Sequence, residues 1–226
     1  MKYGKAIELN PEYEQAMNNL ANIFEAQGRY AEAVELLRRA TMIRPHFATA
    51  WMNLGIAEMK MANFKSSLTA FETSLRLRPH SPDCHFNLGN LHLAAGRGEQ
   101  AMQSWKRAIE QDPSHPGAWV NILVRLDENG QCESAIEMAG NLPNPAHSAI
   151  DFQLGTCYGQ LNRFEEGEYH LRKAIHIDPN NGIYHSNLQV LYERRRLFAA
   201  KNSSQLTTQR SKTHLQKLVT NITGRL

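Results

Sequence analysis

ATAWMNLGIAEMKMANFKSSLTAFETSLRLRPHS, residues 48–81, and PDCHFNLGNLHLAAGRGEQAMQSWKRAIEQDPSH, residues 82–115, are two copies of one pattern. Each places a leucine before a glycine (Leu54-Gly55, Leu88-Gly89), an aromatic residue further on (Phe71, Trp105) and a proline near its end (Pro79, Pro113). Outward from this pair, prolines fall at 11, 45, 79, 113 and 179, three steps of 34 residues and one of 66. Leu20, Leu54, Leu88, Ile122, Leu154 and Leu188 keep the same beat, and small Ala40, Ser74, Ala108 and Ala174 precede the prolines. A proline cannot extend a helix, so its recurrence every 34 residues marks helix-turn-helix units stacked into a solenoid. Small residues at Ala21, Gly55, Gly89 and Gly155 let the two helices of a unit approach closely, with a large side chain filling the gap. Gly28, Gly96, Gly130 and Asn162 sit where the first helix must stop, and these residues accept the left-handed cap conformation most readily.

The spacing predicts an all-α chain with complete units at 14–47, 48–81, 82–115, 116–147 and 148–181. Residues 1–13 read as the second half of a unit, and 182–196 as the first helix of another. The unit at 116–147 is two residues short, with Pro143 and Pro145 early in NLPNPAH, which predicts a shortened second helix. The chain begins inside a repeat, as a fragment of a longer protein or a shortened isoform does. Half-repeats at both ends lack capping neighbours, which implies marginal terminal helices and self-association through them.

At 226 residues and 42% hydrophobic content, the chain has ample apolar material for a folded array. No apolar run approaches ~20 residues, so no membrane-spanning helix is expected, and no apolar stretch near Met1 reads as a secretory signal. The net charge of +3 conceals an asymmetry. Eight of the 25 basic residues follow Glu193, leaving 17 against all 22 acidic ones up to and including it. Residues 197–226 form a basic, Ser/Thr/Gln/Asn-rich tail in which the repeat fades; a weak apolar stripe (Leu215, Leu218, Val219, Ile222) predicts one short helix. Its charge fits either an anionic contact or a poorly ordered end, and the second reading is favoured, with no nucleic-acid partner expected. Asn202-Ser203-Ser204 and Asn221-Ile222-Thr223 fit the N-glycosylation triplet.

The residue before each beat leucine is Asn19, Asn53, Asn87, Asn121, Gln153 and Asn187, one carboxamide per unit. First helices line the inner face of such a solenoid. A carboxamide both donates and accepts, so a row of them matches the backbone of an extended peptide. Bridging between adjacent helices is the competing reading, and the two are compatible. Asn22 and Asn90 widen the strip in two units. One position earlier stand Asn18, Met52, Phe86, Val120, Phe152 and Ser186, with no cation to clamp a C-terminal carboxylate. The apolar members of that column read as half-buried packing before they read as a hydrophobic lane. No catalytic, cofactor-binding or metal-ligating set is expected. Cys84, Cys132 and Cys157 lack CxxC spacing, and the cluster of His80, Asp83, Cys84, His85 and His92 lacks a fourth ligand at suitable spacing. His85 shares its column with Trp51 and Trp119, which points to packing.

The periodic pattern is that of tetratricopeptide (TPR) repeats, which implies a right-handed superhelix. PEYEQAMNNLANI (11–23), FATAWMNLGI (47–56), SPDCHFNLGNLH (81–92), AMQSWKRAIEQDP (101–113) and GAWVNILVRLDENG (117–130) together resemble the C-terminal region of the transmembrane and tetratricopeptide repeat-containing proteins. That resemblance covers about residues 2–196. It implies the lumenal, non-catalytic arm of an endoplasmic-reticulum membrane O-mannosyltransferase that takes mannose from dolichol phosphate and modifies cadherin-type acceptors. None of the catalytic half is present, so no catalytic residue carries over. NNLANIFEAQG (18–28) is also similar to the O-linked N-acetylglucosamine transferases, whose repeats carry an asparagine ladder. A free cytoplasmic adaptor that binds a protein or peptide is the third reading.

Overall fold

The computed structural model describes residues 2–140, 142 and 147–223, with side chains described through residue 205. Pro143, Pro145 and the apolar stripe expected at Leu215, Leu218, Val219 and Ile222 lie outside that description. Among the described residues every element is a helix. First helices of the repeats are α2 (Glu14–Ala26), α4 (Ala48–Lys60), α6 (Pro82–Ala94), α8 (Pro116–Glu128), α10 (Ser148–Gln160) and α12 (Gly182–Thr223). Second helices are α1 (Lys2–Leu9), α3 (Tyr30–Ile43), α5 (Phe64–Leu77), α7 (Gly98–Gln111), α9 (Cys132–Ala139) and α11 (Phe164–Ile177). The chain forms two compact units, residues 1–122 and 123–226, and the division falls within α8.

In the first unit each helix packs on the next, and the first helices α2, α4 and α6 also touch in succession. Gly89 shows why the pattern demands a small residue. A Cβ there would lie 2.4 Å from the Trp105 ring, which is itself only 1% exposed. Gly55 stands the same way against Phe71, at 2.7 Å. Hydroxyls join the same helix pair: Ser67 donates to the Gly55 carbonyl (2.7 Å) and Ser74 to that of Ala48 (2.9 Å). These 13- and 14-residue helices carry no side-chain N-cap hydrogen bond at α2 through α7, so packing supplies most of their stability.

The repeat boundaries share a second device. Trp51 Nε1 donates to the Pro45 carbonyl and Trp119 Nε1 to that of Pro113, both at 2.8 Å. His185 Nε2 meets the Pro179 carbonyl at the same distance in the second unit. At these three boundaries a ring nitrogen thus fastens the start of a first helix to the proline that ended the helix before it.

Each first helix of a complete repeat ends in a left-handed residue: Gly28, Ala62, Gly96, Gly130 or Asn162, with φ of 60–74°. The hydrogen bonds are those of a Schellman cap, as in Ala62 N–H to Met59 O (2.9 Å) and Asn63 N–H to Glu58 O (2.9 Å). Where this cap is normally closed by an apolar contact, Arg29 lies 4.0 Å from the centre of the Phe24 ring and Arg163 lies 4.6 Å from that of Tyr158. The sequence pattern identified the three glycines and Asn162; Ala62 occupies the same column without glycine's freedom.

In the second unit α10 packs on α9, α11 and α12, and α11 on α12. The divergent repeat does have a short second helix: α9 has 8 residues, against 14 in α11. It also reverses the sizes of the packing pair, with fully buried Leu123 in the glycine column and Ala139 in the column of Phe71 and Trp105. The last helix departs from expectation. Its end was expected near residue 196, followed by a poorly ordered tail, yet α12 runs unbroken for 42 residues. No glycine or proline occurs between Ile183 and Thr223 to stop it. Leu191, Phe198 and Arg195 dock α12 on α11: Leu191 is buried with Phe164 and Leu171, Phe198 lies 5.6 Å from the Phe164 ring, and Arg195 pairs with Glu165 at 2.9 Å.

Gly89→Ala should destabilise the chain by roughly 1–3 kcal/mol in a denaturant titration, because the Trp105 ring must move inside a packed core. Ala62→Gly should raise stability by roughly 1 kcal/mol, since relief of the left-handed penalty exceeds the entropy glycine adds to the unfolded chain.

Candidate peptide-binding face

The six ladder carboxamides are all half-buried. They do not behave alike. Asn53 Nδ2 donates to Asn18 Oδ1 and to Asn22 Oδ1, both at 2.9 Å. Both amide hydrogens are thereby used, and Asn53 keeps only its oxygen for a further partner. Asn121 Nδ2 donates to Asn90 Oδ1 (2.8 Å), which also receives the Trp105 indole N–H (3.1 Å). These two rungs therefore bridge successive repeats, as the packing reading required, and Asn22 and Asn90 are the acceptors that make the bridges.

Asn87 and Asn187 instead turn back on their own helices, donating to the Asp83 carbonyl (2.8 Å) and the Ile183 carbonyl (3.0 Å). Each retains one amide hydrogen and its oxygen. Asn19 and Gln153 hold no side-chain hydrogen bond among the described residues. Five of the six carboxamides thus keep both donor and acceptor capacity, Asn19, Asn87, Asn121, Gln153 and Asn187. The first unit contains Asn19, Asn53, Asn87 and Asn121, and the second contains Gln153 and Asn187.

The neighbouring column is committed to packing. Asn18 is only 4% exposed and accepts from Asn53. Met52 packs on the core around Phe71, Phe86 lies 4.9 Å from the His115 ring, and Phe152 lies 5.0 Å from that of Tyr184. No cation stands in this column. A separate concavity of about 440 Å³ lies among α3, α4 and α5, lined by Arg38, Trp51, Glu58 and Lys65, and no ladder residue borders it. The Glu58 carboxylate, 1% exposed, is already held by Arg38 (2.6 Å) and Asn63 (2.8 Å).

The histidine cluster seen in sequence is dispersed by the fold. Asp83 pairs with His115 at 3.3 Å, and Cys84 faces the Phe71 carbonyl. Burial, and then Arg107, holds His85 below the ordinary imidazole range, while its bond to the Pro79 carbonyl works the other way. Burial and then Arg97 lower His92 similarly. Burial also pushes the Cys84 thiol up to about 11 and raises Cys132 and Cys157. None of the three thiols is poised as a nucleophile at neutral pH.

One grouping has no counterpart in the sequence reading. Asp127, Cys132 and Cys157 bring a carboxylate oxygen and two buried sulfurs within 4.8 Å of one another. Spacing along the chain gave no hint of it, because three different helices or their turns supply the residues. The available signal was Cys132, which stands in the column filled by Tyr30, Phe64, Gly98 and Phe164.

Comparison with known proteins adds identity to this geometry. Tetratricopeptide-repeat family models match residues 2–35, 21–61, 52–116 and 152–181. A stretch of 75 residues is 38% identical to a protein O-mannosyl-transferase of Caenorhabditis elegans, covering 31% of this chain and 11% of that protein. Another of 63 residues is 32% identical to a heat-shock protein cognate co-chaperone of Aspergillus fumigatus, covering 28% of this chain and 18% of that one. The matches therefore span only a small part of either curated relative. Among solved structures, the chain is similar to YrrB, described as a TPR protein with an unusual peptide-binding site (22% identity, 84% of this chain and 98% of that one, TM-score 0.58). It is also similar to Cut9–Hcn1 of the APC/C (16% identity, 85% and 39%, TM-score 0.65).

Asn53→Ala should cost roughly 1–3 kcal/mol, because it strands the buried Asn18 oxygen, whereas Asn87→Ala should change stability by less than about 0.5 kcal/mol. Urea titrations of the two variants check this. The histidines predict an acid effect of definite sign. Their folded pKa values lie below the ordinary value of about 6.5, so the unfolded chain takes up protons first and stability falls as pH drops below that value. His85→Trp, the residue its column holds in neighbouring repeats, should make this acid decline shallower in melts recorded from neutral to mildly acidic pH.

Proposed function

This chain being a tetratricopeptide-repeat protein, we infer that it is a protein-binding scaffold whose first helices hold an extended peptide segment within each unit. The carrying observation is the unspent hydrogen-bonding capacity of the ladder. Asn19, Asn87, Gln153 and Asn187 each keep a donor and an acceptor, the two functions a strand-like backbone presents. Recognition of this kind reads backbone more than side chains, so it suits loosely related sequences held by many weak contacts.

The finer reading is that the scaffold serves an O-mannosyltransferase of the endoplasmic reticulum, presenting Ser/Thr-bearing, cadherin-type acceptors to a catalytic region outside this chain. It is supported by the five sequence stretches that resemble the transmembrane and tetratricopeptide repeat-containing proteins, and by the partial identity to the nematode O-mannosyl-transferase. A co-chaperone role that clamps a terminal carboxylate is disfavoured, since the column before the ladder holds Asn18, Met52, Phe86, Val120, Phe152 and Ser186.

Asn87→Ala and Asn187→Ala separate binding from stability, because each side chain bonds only to its own helix. Titrated by fluorescence anisotropy with an extended segment of a cadherin-type domain, the double variant should bind at least several-fold more weakly than the parent, with an unchanged melt. Unchanged affinity in that variant would remove the ladder from recognition. Equal binding of the parent to cadherin-type and unrelated extended segments would leave the scaffold role and defeat the acceptor assignment.

A further inference from the structure

The divergent repeat gathers Asp127 at the end of α8, Cys132 at the start of α9, and Cys157 and Gln160 on α10. Cys132 Sγ lies 3.5 Å from Asp127 Oδ1 and 3.5 Å from Gln160 Oε1, and Gln160 Nε2 donates to the same Asp127 oxygen. Cys132 is 2% exposed and Cys157 is wholly buried. The two sulfurs and the carboxylate oxygen all lie within 4.8 Å of each other. For a tetrahedral ion with bonds of ~2.3 Å to sulfur and ~2.0 Å to oxygen, neighbouring ligand atoms stand ~3.3–3.8 Å apart. Two edges of that polyhedron are therefore already in place around Cys132, and the edges joining Cys157 to Cys132 and to Asp127 require closure by roughly 1.3 Å at most.

The geometry points to a site for one thiophilic cation of the zinc class, held by Asp127 carboxylate oxygen, Cys132 Sγ and Cys157 Sγ, with Gln160 Oε1 in the fourth position. Two sulfurs exclude magnesium and calcium as natural occupants, since those ions take oxygen ligands. The location gives the site a structural purpose. Helix α9 has 8 residues where α3, α5, α7 and α11 have 14, and Cys132 stands where α3, α5 and α11 place an aromatic residue. A metal bridging α8, α9 and α10 would cross-link a repeat whose second helix is short. Gln160 would release its hydrogen bond to Asp127 and turn its oxygen to the ion, leaving no buried polar group unmatched.

The test uses cadmium as an optically visible thiophilic probe with the full chain, reduced and metal-free. Titration should produce a thiolate-to-cadmium charge-transfer band that saturates at one equivalent, and zinc should compete for it and raise the melting temperature. Cys132→Ser and Cys157→Ser should each abolish the one-equivalent band. Asp127→Asn should weaken binding by at least the roughly tenfold that loss of even an outer-shell partner costs. Cys84→Ser, which alters the third buried thiol, should leave the titration unchanged. Far-ultraviolet circular dichroism of each metal-free variant separates lost ligation from lost folding; should a serine variant unfold, Asp127→Asn and Cys84→Ser still decide the matter. A parent chain that shows no saturating band, or a band equally sensitive to Cys84→Ser, overturns the site. So does a band indifferent to Asp127→Asn, or a chain whose Cys132 and Cys157 merely oxidise to a disulfide and bind no metal when reduced again.

Discussion

The close approach of the two helices within a repeat is the constraint on which the remaining structure rests. At Gly89 the Trp105 ring fills the space a Cβ would need, and at Gly55 the Phe71 ring does the same. A ring buried against bare backbone fixes both the distance between the helices and their rotation about their axes, because no other pairing of faces would fit. That rotation determines which residues the first helix turns toward its successor. Leu54 and Leu88 go inward, and the carboxamide just before each stays half-buried beside the adjoining first helix. The ladder is in this sense a by-product of core packing, and its spacing is inherited from the glycine column.

Hydrogen-bond arithmetic then divides the ladder into two kinds of rung. Asn53 and Asn121 spend donors on neighbouring repeats, so they belong as much to the solenoid's cohesion as to any ligand. Asn87 and Asn187 spend one donor locally and keep the rest. Binding and stability need not trade against each other along such a face, because bridging and presenting are assigned to different positions. The acceptors Asn22 and Asn90 occur in the repeats just before Asn53 and Asn121, which is why those two rungs bridge and the others do not.

The repeat at 116–147 breaks the rule that governs the others. Its packing pair is reversed in size, its second helix is shortened, and Cys132 holds the position that Tyr30, Phe64 and Phe164 take in three other repeats. Beside that shortened helix a carboxylate and two thiols converge. The deviation from the pattern, more than the pattern, is where this chain acquires a chemistry of its own.

Periodicity alone determined the all-α class, the shortened α9 and the left-handed ends at Gly28, Gly96, Gly130 and Asn162. These follow from local rules, since a proline, a glycine or a missing side chain constrains the chain within a turn or two of itself. Trp51 and Trp119 were legible as packing residues, although their bonds to the boundary prolines were not. Tertiary structure decided what depends on relative placement. It resolved which carboxamides bridge and which remain open, because that turns on a donor and an acceptor about thirty residues apart meeting at hydrogen-bond distance. It docked α12 on α11 through Leu191, Arg195 and Phe198 up to and past residue 196, where the repeat fades, and packing of this kind is what sustains a helix. It also brought Asp127, Cys132 and Cys157 together across a span of thirty residues, a convergence set by helix stacking that no spacing along the chain could encode.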